Sequence, residues 1–164
     1  MIWLSVGFHC IDGDDPGHPL DSGFETYVGI PRGMSSYRPG VAVDLDREAF
    51  EAPYYLTDLF GDEACRFIDE SREQPFFAML AFNAVHAPLE ATDDDLEEFG
   101  GEFPGSPDRR TYAAMLRAMD RNVGKVLTKL AQLGVEENTL VFFINDNGRG
   151  GNHTPGHTRN TGWN

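Results

Sequence analysis

Apolar positions along this chain fall into short runs and two longer helical stripes, separated by stretches dense in Gly, Pro, Asp and Ser. The run Thr139-Leu140-Val141-Phe142-Phe143-Ile144 is rich in β-branched and aromatic residues. It predicts a strand buried on both faces, the kind that parallel sheets contain. Residues 76–82 read the same way, and residues 2–6 read as a brief strand ending at Gly7. Residues 41–45 alternate weakly, which suggests a short edge strand. Leu56, Leu59, Phe60, Ala64, Phe67 and Ile68 recur at helical steps and predict a helix with Thr57 as N-cap, closed before Pro75. A longer stripe, Tyr112, Met115, Leu116, Met119, Val123, Val126, Leu127, Leu130 and Leu133, predicts a helix over 108–133 with Gly134 just beyond its end. Between Gly7 and Gly40 lies a long loop, and Phe24, Tyr27 and Tyr37 inside it suggest packing. Strand, loop, helix, strand, helix, strand is the order of an α/β domain with a largely parallel sheet. The last stretch, 149–164, has no apolar period, so the chain reads as a piece of a larger domain.

Polar clusters follow three of the predicted strands. Asp146 and Asn147 follow the run at 139–144, His86 follows 76–82, and His9 follows the first strand. Ends of parallel strands lie on one edge of a sheet, where ligands usually bind. Asp146 offers a carboxylate and Asn147 an amide carbonyl, hard oxygen donors suited to Ca²⁺ or Mg²⁺, although Asn147-Gly148 also reads as a plain turn. His86 precedes Ala87-Pro88, and a histidine there can donate to an anionic oxygen or act as an acid near neutral pH. A partly buried loop histidine is the equally open structural reading. His153 and His157 are four apart in a Gly/Pro-rich loop, where that spacing fixes no geometry, and His18 is open either way. Cation-binding oxygens beside histidines suit hydrolysis of an anionic ester.

Charge changes the picture by exclusion. A formal net charge of −14 argues against nucleic acid or an anionic membrane as the main partner. No apolar run is long enough to span a bilayer as a helix. Cys10 and Cys65, the two cysteines, have neither metal nor redox spacing, and Cys65 reads as a small core residue.

Several segments together carry a resemblance. They are Tyr55-Leu56-Thr57-Asp58, Pro75-Phe76-Phe77-Ala78, Phe82-Asn83-Ala84-Val85-His86-Ala87-Pro88-Leu89, Tyr112-Ala113-Ala114-Met115, and Asn138 through Gly148. With His18-Pro19-Leu20-Asp21 and Gly23-Phe24-Glu25, they resemble the type I sulfatases, formylglycine-dependent enzymes of the alkaline-phosphatase-like superfamily. The resemblance implies a three-layer α/β/α fold with a mostly parallel sheet, incomplete here, and a chain forming the central portion of a catalytic domain. It implies that Asp146 and Asn147 ligate Ca²⁺ (or Mg²⁺), that His86 binds the substrate sulfate, and that His9 matches a catalytic-site histidine. The implied substrate is a sulfated small molecule or carbohydrate. The implied compartment of a complete member is secreted, periplasmic or lysosomal.

The departures from the family pattern are as informative. Neither Cys10-Ile11-Asp12 nor Cys65-Arg66-Phe67 fits the Cys/Ser-x-Pro/Ala-x-Arg motif from which formylglycine is made. Gly7 stands where the family has a lysine, which favours slightly the alternative of a non-catalytic anion- or partner-binding remnant. A phosphohydrolase of the same superfamily is a further alternative. The chain is expected to be silent alone, and to associate through exposed sheet edges if a central strand comes from elsewhere.

Overall fold

A computed structural model describes residues 1–8, 17–30, 35–100 and 104–145. Its axis is β1 (Ile2–Phe8), which pairs in parallel on both sides, with β2 (Thr26–Ile30) and with β5 (Phe76–Ala81). Two antiparallel strands, β3 (Ala42–Leu45) and β4 (Glu48–Glu51), extend the sheet beyond β2 and give the order β4-β3-β2-β1-β5. Asp46 and Arg47, both at positive φ, form the two-residue turn between them, as tight hairpins require.

Three backbones close on one another at the C-terminal end of β1. Gly7 lies opposite both Gly29 and Ala81 in the register. Its φ is +116°, and a Cβ there would overlap the Ala81 carbonyl oxygen. A Cβ on Gly29 would in turn overlap the Gly7 carbonyl oxygen. Only glycine accommodates both the conformation and the approach.

Strand residues alternate between faces. Leu4 and Val6 of β1 and Val28 and Ile30 of β2 bury in the core with Leu56, Leu59, Phe60, Phe67 and Ile68 of α1 (Leu56–Glu70). Burying each such side chain is worth about 1.5–3 kcal/mol, so the amphipathic face of α1 is the main attachment of the helical layer. The opposite face carries an aromatic cluster in which Trp3 lies 4.9 Å from Phe77 and 6.0 Å from Phe24 between ring centroids. Of the three layers expected, the described residues build the sheet and one layer of helices.

That layer is locked by charge. α3 (Pro107–Gln132) packs mainly on α1, and Gly61 lets Asn122 approach so closely that a Cβ at 61 would overlap its amide oxygen. Asn122 Nδ2 donates to Asp58 Oδ1 at 2.7 Å and to the Ala118 carbonyl at 2.9 Å. Arg121 of α3 reaches both Asp58 and Asp95, the latter on the short α2 (Asp93–Glu97). Thr92 caps α2 by accepting from the Asp95 amide, and its hydroxyl donates to the Asp95 carboxylate. Burial pushes the Asp95 carboxyl up, but the Arg121 guanidinium and the Thr92 hydroxyl outweigh it and hold the group below the usual carboxylate range.

The fold departs from the sequence reading in several places. The run at 139–144 forms no strand: it pairs with none of the described strands and leaves Leu140 79% and Ile144 83% exposed. Strand character is realised only against a neighbouring edge, and the run instead sends Phe143 towards α3, where it lines a groove with Phe99, Leu116 and Val123. β5, expected to be buried, is an edge strand with Phe77 43% exposed. β2 lies within the expected loop, and its Tyr27 is fully buried, as is Tyr37 in the 35–37 stretch. Residues 42–45 do form a strand, but β4 and not β3 is the edge. Tyr55, not Thr57, is the N-cap residue of α1, with no side-chain cap bond, and Thr57 is buried in the first turn. On α3 the buried residues are Ala114, Met115, Ala118, Asn122 and Leu130, while Leu116 and Leu127 are exposed, because α1 covers only a narrow stripe. Gly134 takes its expected place with φ +67°.

Gly7→Ala is expected to destabilise the fold by about 3 kcal/mol through backbone overlap, read as a lower midpoint in urea unfolding. Arg121→Leu is expected to cost about 2 kcal/mol, less than a fully buried pair because the arginine is one-third exposed. Since the folded Asp95 carboxyl titrates below its ordinary value of 3.8, its contribution is fully present above that pH and is lost as pH falls further. The stability difference between wild type and Asp95→Asn should therefore shrink below about pH 4, and a difference that persists unchanged there would refute the assignment.

Candidate active site at the carboxyl edge of the sheet

β1, β2 and β5 run parallel, so their C-terminal ends share one edge, and β5 leads there into the 83–90 loop. Asn83 is buried and turns the chain, its carbonyl accepting from the His86 amide at 2.8 Å. The Ala84–Val85 and Ala87–Pro88 peptides on either side of His86 are both cis. His86 Nδ1 lies 2.8 Å from the Ala87 carbonyl oxygen, so that nitrogen donates. A neutral ring held in this way carries its proton on Nδ1 and its lone pair on Nε2, whereas a protonated ring also presents an N–H at Nε2. A strand-end histidine with a fixed tautomer can accept a proton or donate to an anionic oxygen.

The loop is held from beneath by a strap, residues 35–38, that the sequence reading treated only as packed loop. Tyr37 is buried, and its hydroxyl lies 2.6 Å from the Asn83 carbonyl and 2.9 Å from the His86 carbonyl. Burial first, then the neighbouring Tyr55 and Glu90, raise the Tyr37 phenol far above its ordinary value, so it remains a donor. Glu90 closes the loop onto the strap. Its Oε2 accepts from Ser36 Oγ at 2.6 Å and from the Tyr37 amide at 2.8 Å, and its Oε1 accepts from Arg38 Nε at 3.3 Å. Burial pushes the Glu90 carboxyl up, but the Ser36, Tyr37 and Arg38 donors together bring it below the usual range. Tyr55, stacked on Tyr37, donates to the Glu90 carbonyl at 2.8 Å and ties the assembly to the start of α1. The signal that could have found this set is weak: two tyrosines and a glutamate whose pairing spans about fifty residues of sequence.

His18 resolves as structural. It is buried, its Nδ1 accepts from the Leu20 amide at 3.1 Å, and its Nε2 faces Asp44 Oδ2 at 3.3 Å. Accepting at Nδ1 places the proton on Nε2, where it donates to Asp44. Cys65 is half-buried on α1 rather than fully in the core, and its thiol is pushed up by burial and by Asp62. His9, Asp146 and Asn147 lie outside the described residues, as do Cys10, His153 and His157. Among the described residues no group of three or more His, Cys, Asp or Glu side chains could hold a metal ion. Asp146 and Asn147 have suitable donor chemistry, but Ca²⁺ takes six to eight oxygens, so these two residues do not make a complete site. Gly7 carries no information about a lost charge, because no side chain fits where β1 meets Ala81.

An open sheet with a parallel centre and a histidine held at its carboxyl edge defines an α/β domain of the kind that binds ligands at that edge. The chain belongs to the sulfatase family: the family model Sulfatase matches residues 11–164. It is 33% identical over 150 residues to N-acetylgalactosamine-6-sulfatase of Mus musculus, covering 80% of this chain and 27% of that protein. It is 31% identical over 134 residues to the uncharacterized sulfatase YdeN of Escherichia coli strain K12, covering 79% of this chain and 23% of that one. The crystal structure of Ps i-CgsB in complex with k-i-k-neocarrahexaose superimposes with a TM-score of 0.73 at 29% identity, covering 81% of this chain and 34% of that chain. BT4656, solved with its substrate D-glucosamine-2-N,6-O-disulfate, matches in fold with a TM-score of 0.67 at 14% identity, covering 84% and 45%. These neighbours share the alkaline-phosphatase-like fold, while the chain spans about a quarter of the length of the curated relatives it matches.

His18→Ala should lower stability by about 2 kcal/mol, since it strands the Leu20 amide and removes the donor to Asp44. Thermal melts would read it, and an unchanged midpoint would contradict the structural assignment.

Proposed function

We propose that this chain is the central portion of a sulfatase catalytic domain that hydrolyses sulfate esters of a carbohydrate, with the nucleophile segment and the C-terminal subdomain outside it. The observation that carries the reading is His86, held at the carboxyl edge of the sheet with its Nδ1 proton committed to Ala87. A sulfate ester is anionic and gathers further negative charge on its oxygens as the S–O bond breaks, so the Nε2–H that the protonated ring presents at that edge favours the transition state. Family membership and the neocarrahexaose bound in the Ps i-CgsB complex support a sulfated carbohydrate as substrate. His9 is the second histidine assigned to the site. Asp146 and Asn147 are assigned to Ca²⁺, with Mg²⁺ as the other option, a cation that neutralises sulfate charge when bound. Formylglycine belongs to the proposed complete enzyme, and Cys65 is not its precursor: it lies inside α1 and outside the required motif.

Three consequences are measurable. The purified chain should release no sulfate from an aryl sulfate with or without Ca²⁺, and Ca²⁺-dependent turnover would overturn the assignment of the nucleophile to another segment. In the complete protein, His86→Ala should lower kcat/KM by about 10²-fold or more, and a wild-type value would remove His86 from the site. The edge of β5, open among the described residues, and the exposed 140–144 run also support self-association of the isolated chain. Sedimentation should give a species larger than the monomer, growing with concentration; a monomer at all concentrations would argue against it.

A further inference from the structure

We infer that Tyr37 is a positioning residue for His86, and that Glu90 holds Tyr37 in that role. The inference rests on the reading of His86 as the contact to the anion, and it adds residues that no family resemblance supplied. A single phenolic proton is shared by two carbonyls, those of Asn83 and His86, at the two ends of the turn that presents the imidazole. The same Asn83 carbonyl also takes the His86 amide, so the turn is closed by its own backbone and by Tyr37 together. The His86 carbonyl begins the peptide that leads to Ala87, and the Ala87 carbonyl is the acceptor for His86 Nδ1. Fixing one peptide therefore fixes the direction of the next, and through it the tautomer of the ring.

Tyr37 is itself immobilised at three points. Its carbonyl accepts from the Leu56 amide at 2.9 Å, its amide donates to Glu90, and its ring stacks on Tyr55 at 5.9 Å. Glu90 lies four residues beyond His86 on the same loop, so its bonds to Ser36, Tyr37 and Arg38 clamp the loop and the strap at a second place. A packing role alone needs only the tyrosine ring. The positioning role needs the hydroxyl.

The test uses the full chain. ¹⁵N chemical shifts of the His86 ring report the tautomer, and titration with inorganic sulfate reports anion binding. Tyr37→Phe keeps the ring and removes the hydroxyl. It should move the two ring nitrogens towards a mixed-tautomer average and weaken sulfate binding about five-fold, while amides of the α1–α3 contact stay in place. A folded Tyr37→Phe variant with unchanged His86 ring shifts overturns the inference. Should that variant fail to fold, Glu90→Ala reads the same device by releasing the strap. It should shift the His86 ring, Glu90→Gln should restore it through its remaining amide oxygen, and unchanged shifts in Glu90→Ala again overturn the inference. If the wild type binds no sulfate, the anion reading of His86 fails for this chain, and the ring shifts still decide the role of Tyr37.

Discussion

The close approach of three backbones at Gly7 is the constraint on which the rest depends. β1 must accept a parallel neighbour on each side, and at its carboxyl end there is no volume between Gly7, Gly29 and Ala81 for a single Cβ. Parallel pairing cannot be made locally, since each neighbour arrives through a crossover connection. The fit at Gly7 therefore settles how far β5 runs alongside β1 and where Asn83 leaves the sheet. A larger residue would move the strand end and the histidine loop with it.

From that edge the structure builds by clamping as well as by burial. Ala84, Val85 and Leu89 of the 83–90 loop pack against the core, and Tyr37, Glu90 and Tyr55 complete its order, each donating to or accepting from backbone across long sequence separations. Buried donors and acceptors of this kind are costly if left unpaired, which makes the arrangement specific. The helical layer follows similar logic at the Asp58–Arg121–Asp95 cluster, where Arg121 of α3 joins α1 and α2. Together the two networks hold the loop relative to the helices and leave the His86 ring with a defined tautomer.

The exposed run at 140–144 belongs to the same physics seen from the other side. It is as apolar as β1, yet it finds no edge to pair with among the described residues and stays in water beside α3. Among the described residues the outer edge of β5 and the apolar 140–144 segment are both without a strand partner, and both are surfaces that ask for a further strand. The sulfatase relatives are far longer than this chain, and the proposed role as part of a larger catalytic domain accounts for both surfaces at once.

By itself the sequence determined the periodic elements and the family. The stripes of α1 and α3, the apolar runs of β1 and β5, and the motif around His86 are local patterns, and local patterns are legible because each residue's neighbours in sequence are also its neighbours in the element. The run at 139–144 has the same local signature and no strand, because pairing needs a partner edge that composition cannot supply. β2 was hidden for the converse reason: Thr26–Ile30 is short, sits among turn residues, and becomes a strand only because β1 offers it an edge. Only the tertiary structure decided that Gly7 is a steric necessity, that His18 is a structural bridge to Asp44, and that Tyr37 and Glu90 stand behind His86. Those assignments depend on which atoms meet after the chain has crossed from strand to strand, and that is a property of packing rather than of spacing.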